Sequence, residues 1–596
     1  MNIEKNNRFT ISGILLTLGI VFSAIGIAPL YVFNAVISLH PFIDTQFIFG
    51  VLSCIIWILT LQATLKYVVI ALKADNNGEG GIFTLYTLIR RRNKGIYILA
   101  IIGACTFLSE IIIVPGITVF SAIEGISLFH KQIPLLPISL CLIASFFLVQ
   151  QFFSDIFNRY SGYAMILWFI MITGFGLVQI LEYPQILLSF NPTYALDFII
   201  NNPLGLFLFG ILFLCVAGVE SIYAHLGNSN ISSIRILWLY VKAAIIISFL
   251  GQGAWILQNK IYTGINPFFA MFPTWFLIPA IIISVLAALA ACQSLLNIAY
   301  NFISEAISLN FWPRLKIKYP STEQGQMYIG VVNGFIMISS MIILVLYPDT
   351  TSLSLMFGAS ISISFIITSI LLSIFLWQKE AGNLQMLIFI SMYGVLELLF
   401  ILANSMKLFN GALLTIFLSF LLFIIMYSWY NAGRIRNKFL RFYDLRRYIQ
   451  LFSDISQDNQ IPKYASNLVI ITRALKKYEL EDKFIYSLFY RQPKRADTYW
   501  ILNVDISDEP YRMDYEVFHV IPGVVIRIDF TLGFKIPPKV NKYFMQVVEE
   551  LTKSKEFDLT SRYSSLKKMN IPSDFIYVMI ERILNNDADE LKLFDG

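Results

Sequence analysis

Charge is what this sequence has least of. Of its 596 residues only 14% are Asp, Glu, Lys or Arg, while 57% are hydrophobic. A soluble protein of this size needs far more polar surface to cover its core, so a soluble fold is excluded. Histidine is scarce as well. There are four, none paired at metal-ligand spacing, which argues against a bound transition metal. The five cysteines (Cys54, Cys105, Cys141, Cys215 and Cys292) all lie inside apolar runs and read as neither a disulfide framework nor a zinc site. No acid/base pair or nucleophile stands with its partners, so an enzyme is disfavoured. No cofactor and no nucleic-acid partner are expected.

What is present is apolar sequence in long runs. Ile11 to His40 contains no charged residue, and similar runs recur to about Tyr430. Each can cross a hydrocarbon core of roughly 30 Å. Backbone groups must be satisfied internally there, and ten-residue barrel alternation is absent, so the runs predict helices. The predicted spans are 11–37, 45–72, 96–128, 133–153, 162–182, 203–224, 235–258, 276–308, 327–347, 352–377, 384–403 and 408–430, twelve in all. The first is too long for a cleavable signal peptide and carries Pro29 and several glycines, so it reads as a broken spanning helix. Basic residues set the orientation. Lys73, Arg90, Arg91, Arg92 and Lys94 follow span 2; Arg314, Lys316 and Lys318 follow span 8; a dense basic stretch from Arg434 to Arg447 follows span 12. Placing these inside gives cytoplasmic N and C termini, with scattered lysines such as Lys131, Lys260 and Lys407 opposite. Beyond 433 the composition turns polar. Leu468–Thr472, Tyr499–Ile506 and Val524–Phe530 read as strands, Pro522–Gly523 as a turn, and Val540–Leu551, after Pro537–Pro538, as an amphipathic helix. The division is therefore a membrane domain over 1–433 and a cytoplasmic α/β domain over 434–596.

An ionisable side chain at membrane depth costs about 2.5–3.5 kcal/mol on insertion scales and is a functional candidate by default. Four carboxylates qualify: Glu110, Glu124, Glu220 and Glu397. Pro115, between the first two, predicts a kink. Glu220 sits in Gly218-Val219-Glu220-Ser221, a composition suited to a broken helix that presents carbonyls and one negative charge to a cation. Ser23, Gly26, Pro29 and Tyr31 offer the same in span 1. A monovalent alkali ion wants many weak oxygen ligands and little fixed charge. Lys242 reads as the one mid-span cation, within snorkelling reach of the inner surface. His225 reads as exposed at the inner end of span 6. The Gly-Glu-Gly-Gly stretch Gly78–Gly81 follows a spanning helix rather than a strand and is not a nucleotide loop.

Lys73-Ala74-Asp75-Asn76-Asn77-Gly78-Glu79-Gly80-Gly81 resembles the Arg-Ala-Asp-Asn-Asn-Gly-Glu-Gly-Gly signature of the KUP/HAK/KT family of potassium transporters, and it falls between spans 2 and 3 as in that family. Similar matches are Ile117–Gly125, Phe249–Ala254, Asn266–Phe269, Pro313–Leu315, Gly325–Ile329 and the stretch from Tyr490 to Phe534. The resemblance implies an all-α polytopic membrane protein with a LeuT-like (APC superfamily) core of two inverted five-helix repeats, about twelve helices, and a C-terminal cytoplasmic α/β domain. It implies potassium uptake across the inner membrane by proton symport, with membrane lipids around it and a homodimer as the working form. It places an ion site at Gly26, Tyr31, Thr118, Ser121, Glu124 and Glu220, with Tyr31, Thr118, Ser121 and Glu220 forming the potassium site itself. Glu110, Glu220 and Glu397 are the candidate proton-coupling acids.

The sequence also departs from the family pattern. Where the family's span-1 motif reads Gly-Asp-Ile-Gly-Thr-Ser-Pro-Leu-Tyr, this chain has Ser23-Ala24-Ile25-Gly26-Ile27-Ala28-Pro29-Leu30-Tyr31, so the aspartate is Ala24. The span-3 acid becomes Glu110, the span-11 acid Glu397, and the acid ending the span-6 motif becomes His225. A buried carboxylate both attracts a cation and carries a proton; Ala24 does neither. Proton coupling is therefore expected to rest on another acid such as Glu220 or Glu110. An uncoupled facilitator and a transport-impaired regulatory protein are the alternatives. Restoring aspartate by Ala24→Asp is expected to strengthen the pH dependence of uptake, and an unchanged dependence would count against the idea.

Overall fold

The computed structural model describes residues 11–40, 44–91, 94–129, 133–259, 265–319, 327–379, 383–406, 411–537, 539–561, 564–569 and 571–580. Arg92, Lys131, Lys260 and Lys407 of the charge pattern, Gly325, Gln326 and Pro538 lie outside them. Two compact units emerge, residues 1–430 and 431–596.

In the first unit the apolar runs are helices. Among the described residues nine are long and apolar enough to cross a membrane, and ten if the bent pair Gly13–Ile20 and Ser23–Leu39, at 59° to each other, is one span. A shorter apolar helix covers Gly330–Leu346. The predicted spans 133–153 and 162–182 fall in one 48-residue element, Leu135–Glu182, which leaves helical geometry at Phe153 (φ −125°, ψ 28°) and so is two helices joined at a kink. The kink expected at Pro115 does not break the helix: Tyr97–Ile123 runs through it without interruption. Asp44 and Asp349 cap their helices, accepting from Phe47 N and Ser352 N at 2.7 Å and so satisfying amides that the first turn leaves free.

Burial sorts these helices into inner and outer. The most apolar window of Gly205–Ala224 is 83% buried and that of Tyr97–Leu128 78%, against 28% for Leu384–Ser405 and 22% for Ala412–Lys438. The last two present outward leucines such as Leu384, Leu398 and Leu413, a face that water would penalise and hydrocarbon does not. The C-terminal part of the Thr45–Lys73 helix is wound as a π-helix over Leu59–Ile70. Such widened winding is rare and concentrates at functional sites.

The second unit is built on a five-stranded sheet. Its strands are β2 (Lys463–Thr472), β4 (Arg495–Ser507), β5 (Met513–Ile521), β6 (Val525–Gly533) and β7 (Phe575–Val578), in the order β5-β6-β4-β2-β7. All neighbours are parallel except β5 and β6. A separate ribbon pairs β1 (Phe442–Asp444) with β3 (Glu479–Glu481). Alternation along the strands fills two cores. Leu468, Ile470, Tyr499 and Ile501 pack with Phe452 and Phe484 on one face; Val469, Trp500, Leu502 and Ile526 pack with Phe544 and Val548 on the other. The three predicted strands are the hearts of β2, β4 and β6, and the predicted helix is Val540–Lys553. At Pro522–Gly523, Gly523 (φ +73°) turns β5 into β6, with Val524 N donating to Ile521 O at 3.0 Å. Strand β5 escapes the sequence reading because it is an edge strand with charged, exposed residues such as Asp514 and Glu516.

Arg527 of β6 has no exposed surface. Its guanidinium donates to Asp529 Oδ1 at 2.7 Å and to the carbonyls of Ala474 and Lys476 at 2.5 Å and Glu479 at 3.1 Å. The substitution Arg527→Gln is expected to cost the second unit about 3 kcal/mol, by stranding those acceptors. Limited proteolysis of the full chain checks this: cleavage beyond residue 431 should accelerate by about tenfold or more, with the membrane unit intact.

Candidate functional site

The site begins with two helices that break at membrane depth. The first stops at Ile20, runs as a short turn over Ser23–Gly26, and resumes at Val32 after Pro29. The second leaves its Gly205–Leu212 helix through a tight turn, extends at Ala217 (ψ 136°), reverses at Gly218 (φ +79°) and resumes at Glu220. The two breaks touch: a Cβ on Gly218 would stand 2.8 Å from Ala24 Cβ. Glycine is required there by both the left-handed backbone and the close approach.

Breaking a helix frees carbonyls that lipid cannot satisfy. Side chains from five other segments take them up. Ser294 donates to Ile20 O, Ser221 to Val21 O at 3.0 Å, Trp168 Nε1 to Gly26 O at 2.9 Å, Gln252 to Pro29 O at 3.1 Å and Asn266 to Leu30 O at 3.0 Å. Gly26, a predicted ligand, thus has its carbonyl engaged by Trp168. Its missing side chain makes room for Phe169, whose Cζ would lie 2.7 Å from a Cβ.

Two cavities flank the crossing. The central one is lined by Ala24, Tyr31, Glu110, Ala217 and Gly218, with Phe107 in its wall. Glu110 is 4% exposed, and its Oε1 finds no hydrogen-bond partner among the described residues. The second cavity is lined by Gly80, Glu220, Tyr223, Glu305 and Thr368, and again by Phe107. Glu220 Oε1 accepts from Tyr67 at 3.0 Å, and Ser364 reaches both its oxygens at 2.8 Å; Thr368 approaches Oε1 at 3.4 Å. Ser364 also interacts with Glu110, so one hydroxyl addresses both carboxylates.

The other predicted residues lie elsewhere. Glu124 accepts from Asn266 at 2.6 Å, from Asn34 at 3.2 Å and from Thr350. Ser121 is 3.4 Å from Thr350 Oγ1, and Thr118 bonds Val114 O at 2.8 Å and faces Cys292. Neither Thr118, Ser121 nor Glu124 lines the two cavities. Tyr31 and Glu110 are thus brought together, Glu220 joins Glu110 through Ser364, and Thr118, Ser121 and Glu124 form a separate polar layer. Glu397 is apart again, accepting from Lys66 at 2.6 Å, Ser369 at 2.8 Å and Gln62 at 3.0 Å.

Several participants were not anticipated. Lys242 is not the one mid-span cation: Lys66 is wholly buried, whereas Lys242 is half-buried and donates to Thr60 Oγ1 at 3.0 Å. Glu305 is a further buried carboxylate, 6% exposed. His225 is 1% exposed rather than solvated, because the Lys73–Gly81 signature covers the half-helix it terminates. The hydroxyls of Thr350, Ser364, Thr368 and Ser369 all come from the Thr350–Gln378 helix, and among them serve every candidate carboxylate. The density of Ser and Thr in that span was the available signal.

The signature itself is a tight hairpin. Asn76 and Glu79 exchange both backbone hydrogen bonds, at 2.9 and 3.0 Å, around Asn77 (φ +50°) and Gly78 (φ +77°), the double left-handed turn that Asn-Gly favours. The hairpin then presses on the half-helix that carries Glu220. Tyr223 Oη donates to Ala74 O at 2.5 Å, and a Cβ on Gly80 would stand 2.2 Å from Tyr223 O.

Comparison with known proteins adds a family. Residues 11–434 match the family model described as the K+ potassium transporter integral membrane domain, and residues 469–593 match the K+ potassium transporter C-terminal domain. A probable potassium transport system protein Kup from Cytophaga hutchinsonii is 41% identical over 98% of this chain and 90% of its own length. Similarly named proteins from Flavobacterium psychrophilum and Clostridium perfringens are 37% and 34% identical over 98% of this chain, covering 90% and 91% of their own lengths. From the hairpin geometry, Gly80→Ala is expected to lower the thermal midpoint in detergent by roughly 3 °C or more. Gly174→Ala, where a Cβ meets nothing within 4 Å, should leave that midpoint unchanged or raise it.

Proposed function

The chain belongs to the K+ potassium transporter family, and from that premise we propose that it takes up potassium through the two cavities at the helix crossing, as a potassium:proton symporter. It is a multi-pass membrane protein that transports potassium. The symport reading rests on one observation: Glu110 Oε1, buried and without a partner among the described residues, borders the cavity that Ala24 and Tyr31 also line. A carboxylate oxygen held there without a donor needs a cation or a proton to be stable. Glu110 thus supplies from the third span the charge that Ala24 lacks in the first. Tyr31 adds a hydroxyl. Ser364 links Glu110 to Glu220, so one carboxylate can hold potassium while the other holds the proton. Gly26 keeps the break tightly packed. Thr118, Ser121 and Glu124 line the outer approach, and of the three expected coupling acids Glu397, bonded to Lys66, stands apart from the two cavities.

The finer architecture is part of the same reading. Counting the kinked Leu135–Glu182 element twice, the bent pair once and Gly330–Leu346 once brings the crossings to twelve. The two broken helices then stand first and sixth, which supports a LeuT-like core of two five-helix repeats. The transport domain is 1–433 and the C-terminal domain 434–596 is cytoplasmic, as is the N terminus, in an inner-membrane homodimer.

Rubidium uptake in cells lacking their own potassium systems tests this. Glu110→Gln is expected to reduce concentrative uptake about 100-fold or more, as loss of an essential carboxylate does, while leaving downhill movement measurable. A protonophore should abolish accumulation by the native chain. Rubidium movement by the native chain that is only downhill, and that the protonophore leaves unchanged, would establish an uncoupled facilitator.

A further inference from the structure

Lys66 has no exposed surface. Its ammonium lies 2.6 Å from Glu397 Oε1 and 2.8 Å from the Phe365 carbonyl, over the rings of Tyr67 and Phe365 at 5.1 and 4.9 Å. Glu397 is 1% exposed. The next residue, Tyr67, donates to Glu220. In an α-helix neighbouring residues point about 100° apart. The i→i+5 winding of Leu59–Ile70 narrows that step, and Gln62, Lys66 and Tyr67 all face inward. One short stretch of chain therefore addresses two carboxylates on two different helices. Stability alone does not account for the pair, since apolar residues of equal volume often hold a fold as well as a buried ion pair does.

We propose that Lys66 is a positioning residue for ion transport: a resident cation that keeps Glu397 charged and outside the proton cycle, and that biases the neighbouring Glu220 towards its ionised, potassium-binding form. The inference rests on the reading of Glu220 as part of the transport path. The ionisable groups around it are Tyr67 on its own helix, Glu110 on Tyr97–Ile123, Glu220 and Tyr223 on Glu220–Ala224, Glu305 on Leu277–Ser308, and Tyr393 and Glu397 on Asn383–Ser405. The Thr350–Gln378 helix contributes hydroxyls only at this level. With Glu397 fixed to Lys66, the expected coupling acids left to exchange protons during transport are Glu110 and Glu220. The positive charge on the residue before Tyr67, which donates to Glu220, favours the ionised form of Glu220. Without that charge, Glu220 takes its proton at higher pH.

Rubidium uptake by the full chain against external pH reads this out in Glu397→Gln, in the double variant Lys66→Gln/Glu397→Gln, and in Glu220→Gln. In Glu397→Gln the ammonium keeps only the Phe365 carbonyl, turns towards Glu220 and competes with the transported cation, so KM should rise about fivefold or more. In the double variant KM should return towards native, while the midpoint of the pH profile moves up by about 0.5 or more. A double variant with native KM and a native pH midpoint would overturn the proposal and leave Lys66–Glu397 a brace between helices. Its absence from the membrane would overturn it equally, since a pair whose neutral isostere cannot fold is a brace. Glu220→Gln keeps the two ideas apart. If it transports with native KM and pH profile, the reading of Glu220 fails whatever the Lys66 variants do.

Discussion

Everything in the membrane unit answers to one constraint: a polar group placed in hydrocarbon must find its partner within the protein. The two broken helices are the severest test of it. Five carbonyls around the first break are each met by a side chain from another segment, so the break is held open by tryptophan, glutamine, asparagine and two serines. A helix interrupted without such donors would close again. The site exists because the surrounding helices were built around the interruption.

The same constraint explains the Thr350–Gln378 helix. Three of the candidate carboxylates accept hydrogen bonds from its hydroxyls, and the fourth, Glu110, shares Ser364. Hydroxyls are suited to this task. Each donates to an ionised carboxylate and accepts from a protonated one without changing its own charge. A helix lined with them tolerates either state of its neighbours, as the proposed path shared by potassium and protons would require. Lysine is different: it fixes the charge of the group it meets, and it stands only beside Glu397.

The spanning helices were legible because hydropathy over some twenty residues is a strong signal, and the buried glutamates because a charge in an apolar run stands out. The strands β2, β4 and β6 were legible from their β-branched and aromatic content. What escaped depended on packing. Lys66 lies near the end of its predicted span, where a lysine reads as an interface residue, and only the fold shows Glu397 waiting for it. Single serines carry no signal because in helices they often bond their own preceding turn, as Ser354 and Ser362 do here. His225 reads as solvated until the hairpin at Asn76–Glu79 is seen to press on the turn it ends.

Phe107 belongs to the walls of both cavities, with its ring 5.9 Å from that of Phe302. A phenylalanine turns about only two torsions, whereas parting the helices at this depth would break the bonds that hold the interruption open. The ring is thus a hinged partition inside a rigid frame. It is also a partition without oxygen, offering a passing cation only the attraction of its face. On the proposed path an ion that surrenders its water easily would cross such a threshold at less cost than one that holds it tightly, so the ring would discriminate among cations, apart from any ligand on either side.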